Sequence, residues 1–341
     1  MKRSERLRIP VPYSAGVFTT YRCTGACKHC LYACSPRWPA DWLSLEDAER
    51  ILAGLAWAMR GKYPFRGGVG VNEGLHFTGG EPFLNFELLL SLVELARRLE
   101  IPSVLVETNA FWATGDEVAR EKLQALKDAG LDGILISVNP FLLEHVPFSR
   151  TRRAVRIASE VFGTGRVLVY QGIFYEELSR LGVEGTLPWE EYLRLGGLGF
   201  RYMELLPGGR GPYKLGQLFE LRPAQDFFGS SCRRELIRDW HVHVDNYGNF
   251  VPGFCAGLTL GDTRELARLC REGVDLAERP VLRALLSDLA ELYELGRRYG
   301  YEERAGYVSK CHLCLDIRRH LARTGEFPEL APRAFYKRLE D

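Results

Sequence analysis

Tyr21-Arg22-Cys23-Thr24-Gly25-Ala26-Cys27-Lys28-His29-Cys30 places three thiols at Cys-x3-Cys-x2-Cys directly after the apolar run Gly16 to Phe18. Three soft thiolates so close together suit iron-sulfur or zinc chemistry. Three rather than four leaves a four-ligand site one position short. Structural zinc takes a closed tetrahedral set, whereas a cluster with one uncapped iron can take a small molecule as its last ligand. Positions 23, 27 and 30 would also share one face of an ordinary helix. Against that reading, Thr24-Gly25 is a poor helix start in the middle of the set, and Lys28 and His29 are not core residues.

Further along, Gly74-Leu75-His76-Phe77 reads as a short strand that ends at Thr78-Gly79-Gly80-Glu81-Pro82. Two glycines there let backbone amides approach a ligand, with a carboxylate held beside them. The ordered pair, Cys23/Cys27/Cys30 and then Gly79 to Pro82, resembles the radical S-adenosylmethionine (radical SAM) superfamily. The resemblance implies that the three cysteines bind a [4Fe-4S] cluster and that SAM chelates its open iron. It also implies that Gly79, Gly80, Glu81 and Pro82 hold the SAM amino group. His29 stands where that family usually has Tyr, Phe or Trp.

A chain of 341 residues, 46% hydrophobic and 26% charged, is ordinary globular material, long enough for one large domain and a smaller one. A net charge of +1 gives no global attraction to nucleic acid or an anionic membrane, so neither is an expected partner. The basic start Met1 to Arg6 is followed by Pro10 and Pro12 rather than a signal-peptide core, and no apolar run has membrane-spanning length. The expected location is cytoplasmic. Nine cysteines there read as cluster ligands rather than disulfides.

Residues 1–15 read as an N-terminal arm and Gly16 to Tyr21 as the first strand. Ser44 with Asp47 predicts the start of a helix over 45–59, which Gly61 to Gly70 ends. Helices are expected at 84–99, 115–129 and 150–162, and strands at 102–107, 133–138, 166–173 and 200–206. Strands alternating with helices mean parallel βαβ units. The expected fold is α/β: a partial (β/α)6 barrel over 16–212, the fold the resemblance also implies, followed by a smaller α+β domain over 213–325 and a tail over 326–341. Ligands of such barrels sit at the C-terminal strand ends, where Glu107, Asn109 and Ser137 also fall. By resemblance Asn109 runs beside the SAM ribose and Ser137 touches ribose or carboxylate, while helix capping is the plainer role for each. Tyr170, Gln171, Arg201, Tyr202 and Glu204 face the same mouth or its walls.

Leu206-Pro207-Gly208-Gly209-Arg210-Gly211 marks a domain boundary. Beyond it, His241 to Pro252 alternates around Asn246-Tyr247-Gly248 as a hairpin does. His241 and His243 share one strand face, expected to be half-exposed. Cys232 and Cys255 bracket the hairpin, and Cys311-His312-Leu313-Cys314 opens a later helix, whose dipole favours thiolate. This arrangement resembles the auxiliary-cluster domain of SPASM and twitch radical SAM enzymes. With too few cysteines for the full SPASM set, the shorter twitch form with one fully ligated [4Fe-4S] cluster fits better, and zinc is the rival occupant. Cys34 and Cys270 are left over, Cys270 in an apolar helix pattern.

The expected protein is therefore a radical SAM enzyme carrying two [4Fe-4S] clusters and SAM. It forms a 5′-deoxyadenosyl radical that takes a hydrogen atom from substrate, and the second cluster accepts the electron. The substrate is a peptide or protein, or a small polar molecule. The barrel starts at about residue 16, which leaves no room for a fused N-terminal peptide-binding domain and tilts towards the small molecule. A flavodoxin or ferredoxin is the expected electron donor. The rival readings are a non-catalytic iron-sulfur electron carrier and a zinc-stabilised binding protein. Neither needs a SAM site.

Overall fold

The buried strand segments are short and mostly apolar, as parallel strands covered on both faces are. The computed structural model describes residues 5–63 and 68–341, so the arm at 1–4 and the Gly61 to Gly70 segment at 64–67 lie outside the described residues. Contacts divide the chain into two units, one of residues 13–27 and 34–204, the other of 5–12, 28–33 and 205–341.

In the first unit, β1 (Ala15–Thr20), β2 (Leu75–Gly79), β3 (Val104–Thr108), β4 (Gly133–Ser137) and β5 (Val167–Tyr170) pair in parallel, each with the next in sequence. The order never reverses, so the sheet grows in one direction, as a barrel-type α/β sheet does. The crossovers are α1 (Leu45–Met59), α2 (Phe86–Arg98), α3 (Asp116–Asp128) and α4 (Phe148–Phe162), and α5 (Gly172–Arg180) follows β5. Ser44 caps α1 by accepting from the Asp47 amide at 3.1 Å. That helix buries Ala48, Ile51, Leu52, Leu55, Ala58 and Met59, the i, i+3, i+4, i+7 stripe of an amphipathic helix. Burial of each large side chain in the stripe contributes about 2 kcal/mol. The β1–β2 register slips between Phe18 and Thr20, at the strand end that feeds the cysteine loop.

Where a sixth strand is expected over 200–206, the chain forms a 3-10 helix over Leu198–Tyr202. Gly196, Gly197 and Gly199 weaken extended pairing there. The buried Glu177 carboxylate draws the segment into a turn by accepting from the Gly199 amide at 3.0 Å and from the Tyr192 hydroxyl. The α/β class stands with five parallel strands among the described residues of this unit.

In the second unit, β6 (Val242–Val244) and β7 (Phe250–Val251) form the expected hairpin. Its turn is held by the Asp245 carboxylate, which accepts from the Tyr247 amide at 3.0 Å and the Asn249 amide at 2.9 Å. The two histidines beside it are buried rather than half-exposed, with rings 4.8 Å apart, and His243 Nδ1 lies 3.0 Å from the Tyr32 hydroxyl. The N-terminal arm is ordered at Arg6–Leu7, which pairs with Val274–Asp275. Helices α6 (Pro280–Ser287), α7 (Leu289–Arg298) and α8 (Lys310–Ala322) complete this unit's frame. Ser309 caps α8, which buries residues on every face, including His312, Cys314, Asp316 and Arg318. No helix of the described residues is long and apolar enough to cross a membrane.

Candidate active site

Residues 23–34 form no helix or strand, so Cys23, Cys27 and Cys30 do not share a helix face. All three are half-buried. Cys23 and Cys27 lie in the first unit and Cys30 in the second. The Cys23 amide donates to the Ser35 carbonyl at 3.2 Å, which closes the loop on itself.

The Gly79 to Pro82 segment is tied to the start of that loop. The Gly80 amide donates to Thr20 O at 2.7 Å and the Glu81 amide to Arg22 O at 3.0 Å. A Cβ on Gly80 would stand 1.9 Å from Arg22 O, so only glycine fits. Glu81 is fully buried. Its carboxylate accepts from the Asn109 amide at 2.7 Å, Thr108 Oγ1 at 2.8 Å and the Phe83 amide at 3.2 Å. Burial raises its pKa to about 7, and the donors pull the other way without cancelling the effect. Glu81 thus joins the end of β2 to the end of β3.

Asn109 carries the connection onward. Its Oδ1 accepts from the Phe111 amide at 3.0 Å, a turn-capping bond. Its Nδ2 lies 2.9 Å from Thr24 Oγ1 and 3.6 Å from Cys23 Sγ. A donor at a ligand sulfur orients it and tunes an iron-sulfur cluster. Glu107 accepts from Thr78 Oγ1 and stands 3.5 Å from His76 Nε2. His76 itself is held neutral, its pKa lowered to about 3 by burial. Ser137 ends β4 opposite Tyr170 and is half-buried. The Tyr170 hydroxyl donates to Glu204 at 2.9 Å, and the Gln171 side chain bonds the Glu204 backbone in both directions. Arg201 and Tyr202 lie in the 3-10 turn, with Tyr202 exposed.

Sequence reasoning missed Arg210. It is fully buried in the second unit, and its amide donates to Cys30 O at 3.0 Å while Nη2 donates to Ala33 O at 2.7 Å. Gly209, at φ +56°, would put a Cβ 2.3 Å from Cys30 O. Read only as a domain boundary, Gly208-Gly209-Arg210 in fact supports the third cysteine. The signal was a charged residue set among glycines, and nothing in the sequence named its partner. Burial and the nearby Arg210 charge lower the His29 pKa to about 4, so His29 is neutral at pH 7.

The second unit also brings Cys232, Cys255, Cys311 and Cys314 together. Cys232 and Cys314 are buried. Burial, then the neighbouring Cys314 and Cys255, pushes the Cys232 thiol far above its usual range. Burial lifts Cys255 to about 12 and Cys311 to about 11, each with further upward push from the other thiols. Thiols crowded in this way are poor anions until a cation sits among them, and a bound metal reverses that balance. Tetrahedral zinc with bonds of about 2.3 Å holds its sulfurs about 3.8 Å apart. Four thiolates can close such a site or ligate a [4Fe-4S] cluster. Of the two leftover cysteines, Cys34 donates to Gly79 O at 3.3 Å and Cys270 to Pro10 O at 3.8 Å.

No curated protein matches the chain. Among solved structures, the chain is similar to BtrN in complex with AdoMet and 2-DOIA, with 14% identity over 80% of this chain and 87% of that one and a TM-score of 0.46. It is similar to Streptococcus suis SuiB bound to S-adenosylmethionine, with 16% identity over 79% and 68% of the two chains and a TM-score of 0.43. A third similarity is to native anSMEcpe with bound AdoMet, with 14% identity over 95% and 99% and a TM-score of 0.41. Residues 17–180, which hold most of β1, the other four parallel strands, the three-cysteine loop and Gly79 to Pro82, match the Radical SAM superfamily, and the chain carries a radical SAM domain there.

Proposed function

We propose that this protein is a radical SAM enzyme with two [4Fe-4S] clusters, the first held by Cys23, Cys27 and Cys30, the second by Cys232, Cys255, Cys311 and Cys314. The observation that carries the reading is the chain of contacts from Gly80 and Glu81 through Thr108 and Asn109 to Cys23, inside a segment that matches the superfamily. When bound, the first cluster and SAM supply a 5′-deoxyadenosyl radical that takes a hydrogen atom from substrate, and the second cluster accepts the remaining electron.

The chain's own residues have separate tasks. Asn109 donates towards the Cys23 sulfur and fixes the loop through Thr24. Gly80 and Glu81 have already committed their amide hydrogens to Thr20 and Arg22. The Glu81 carboxylate is turned inward. What Gly80 then offers a ligand is carbonyl oxygen, an acceptor suited to the SAM amino group, while Gly79 O already accepts from the Cys34 thiol. Glu107 and Ser137 stand at neighbouring strand ends, where ribose hydroxyls and substrate would lie. Substrate is a peptide or a small polar molecule, a flavodoxin or ferredoxin supplies electrons, and the enzyme works in the cytoplasm.

Anaerobic reconstitution tests this directly. Wild type should hold about eight iron and reduce SAM to 5′-deoxyadenosine and methionine with dithionite, whereas Cys23→Ala/Cys27→Ala/Cys30→Ala should hold about four and form neither product. SAM cleavage by the triple variant, or zinc in place of the remaining iron, would refute the assignment.

A further inference from the structure

Helix α8 carries both Cys314 and, one turn on, Arg318. Arg318 is 5% exposed, and its Nη1 donates to Ala256 O at 3.0 Å and lies 3.1 Å from the Tyr336 hydroxyl. Tyr336 in turn donates to Gly257 O. Ala256 and Gly257 directly follow Cys255, so the guanidinium is clamped between the backbone of one ligand cysteine and the helix turn of another. The Cys314 and Cys255 thiols, once ionised, would act favourably on its charge. The Arg318 Nε is buried with no partner.

No carboxylate among the described residues lies within 4.0 Å of Arg318. The acid two positions earlier, Asp316, is taken by Tyr213, Tyr301 and Arg304. An arginine cannot shed its proton, and a buried cation without a counter-ion is strongly disfavoured. The anions within its reach are the cysteines, once a metal has made them thiolates.

We propose that Arg318 is the buried counter-charge of the metal site formed by Cys232, Cys255, Cys311 and Cys314, and that its charge makes the site easier to reduce. The proposal rests on the reading of that site as a [4Fe-4S] cluster. Four thiolates around an oxidised cluster form a dianion, and one added electron makes a trianion. A fixed cation beside Cys314 and Cys255 stabilises the second more than the first. The electron comes from the substrate radical in the proposed reaction and from dithionite in the assay. Arg318 is thus a tuning residue for an electron acceptor and touches no substrate.

The test uses the full chain with Cys23→Ala/Cys27→Ala/Cys30→Ala, so that only the second site is loaded. A redox titration followed by electron paramagnetic resonance compares this parent with added Arg318→Met or Arg318→Lys. Arg318→Met should lower the reduction constant at least tenfold, which is about 59 mV to more negative potential for one electron. Arg318→Lys should stay within threefold of the parent. A fully iron-loaded Arg318→Met variant with the parent's potential overturns the proposal. If Arg318→Met takes up no iron, uptake by Arg318→Lys supports the counter-charge, and failure of both variants overturns it in favour of the guanidinium's hydrogen bonds to Ala256 and Tyr336. A parent with no iron, or with zinc, fails earlier and separately, because it removes the cluster reading while Arg318 is intact.

Discussion

Glu81→Gln replaces a buried, inward-turned carboxylate with a neutral isostere, and the consequence can be worked out from the Glu81 environment. Burial raises the Glu81 pKa from 4.5 to about 7. At 1.36 kcal/mol per unit, this amounts to about 3 kcal/mol. A carboxyl whose folded pKa lies above its unfolded value favours the folded state while protonated. Its contribution is complete below about pH 4.5 and lost as pH rises through 7. Glutamine has no such dependence, but its amide would face the Asn109 N–H where Oε2 now accepts. That mismatch costs about 1–3 kcal/mol at every pH. Wild type should therefore be the more stable protein at pH 5, and its lead should vanish or reverse by pH 8. The buried histidines titrate in the opposite sense. Burial lowers His29, His76 and His312 to about 4, 3 and 4, so their contribution is present above the ordinary histidine pKa and lost as pH falls. They are common to both proteins and cancel in the difference. Urea denaturation of the metal-free, reduced proteins at pH 5 and pH 8 measures it. With a slope of ~3 kcal/mol/M the relative midpoints should move by ~1 M. The same difference at both pH values would mean that the three donors outweigh burial and that Glu81 is ionised throughout.

Two further substitutions probe the same strand ends. Gly80→Ala forces a Cβ to within 1.9 Å of Arg22 O and breaks the bond from the Glu81 amide. It should cost about 3 kcal/mol or more and lower the melting temperature by roughly 6–12 °C in calorimetry. Asn109→Ala removes the contacts to Cys23 Sγ and Thr24 Oγ1. Iron content should persist, while the resonance spectrum of the first cluster shifts and SAM cleavage falls about 10–100-fold; an unchanged spectrum and rate would leave Asn109 with only its turn-capping bond to Phe111.

The parallel units were legible because each signal was local. Ser44 three residues before Asp47 and the apolar stripe of α1 act within a few residues of themselves. The stretch at 200–206 misled for the complementary reason. Its apolar residues suit a strand, but the deciding partner is Glu177, more than twenty residues upstream and indistinguishable in sequence from a surface acid. His241 and His243 misled in the same way, since period-two alternation tells which residues share a face and not whether that face is covered.

The candidate site shows where such reasoning must stop. Sequence spacing identifies ligands because a metal imposes its own geometry on cysteines near one another. It says nothing of the groups that make those ligands workable, since these arrive from other elements. Glu81 reads as a ligand-binding carboxylate, yet its oxygens are spent on Phe83, Thr108 and Asn109. Asn109 reads as a ribose contact or a cap, and beside its capping bond its amide also reaches Thr24 and Cys23. Arg210 and Arg318 carry no motif at all, yet each is buried against the backbone at or beside a cysteine, at Cys30 O and Ala256 O respectively. The common cause is charge. A site that gathers thiolates out of water must import fixed donors and cations to hold them, and these cost too much in burial to be present without that work to do. A buried arginine beside cysteines with no carboxylate within 4.0 Å among the described residues, as Arg318 is, is therefore a physical pointer to a thiolate-ligated metal site, and one that only folding makes visible.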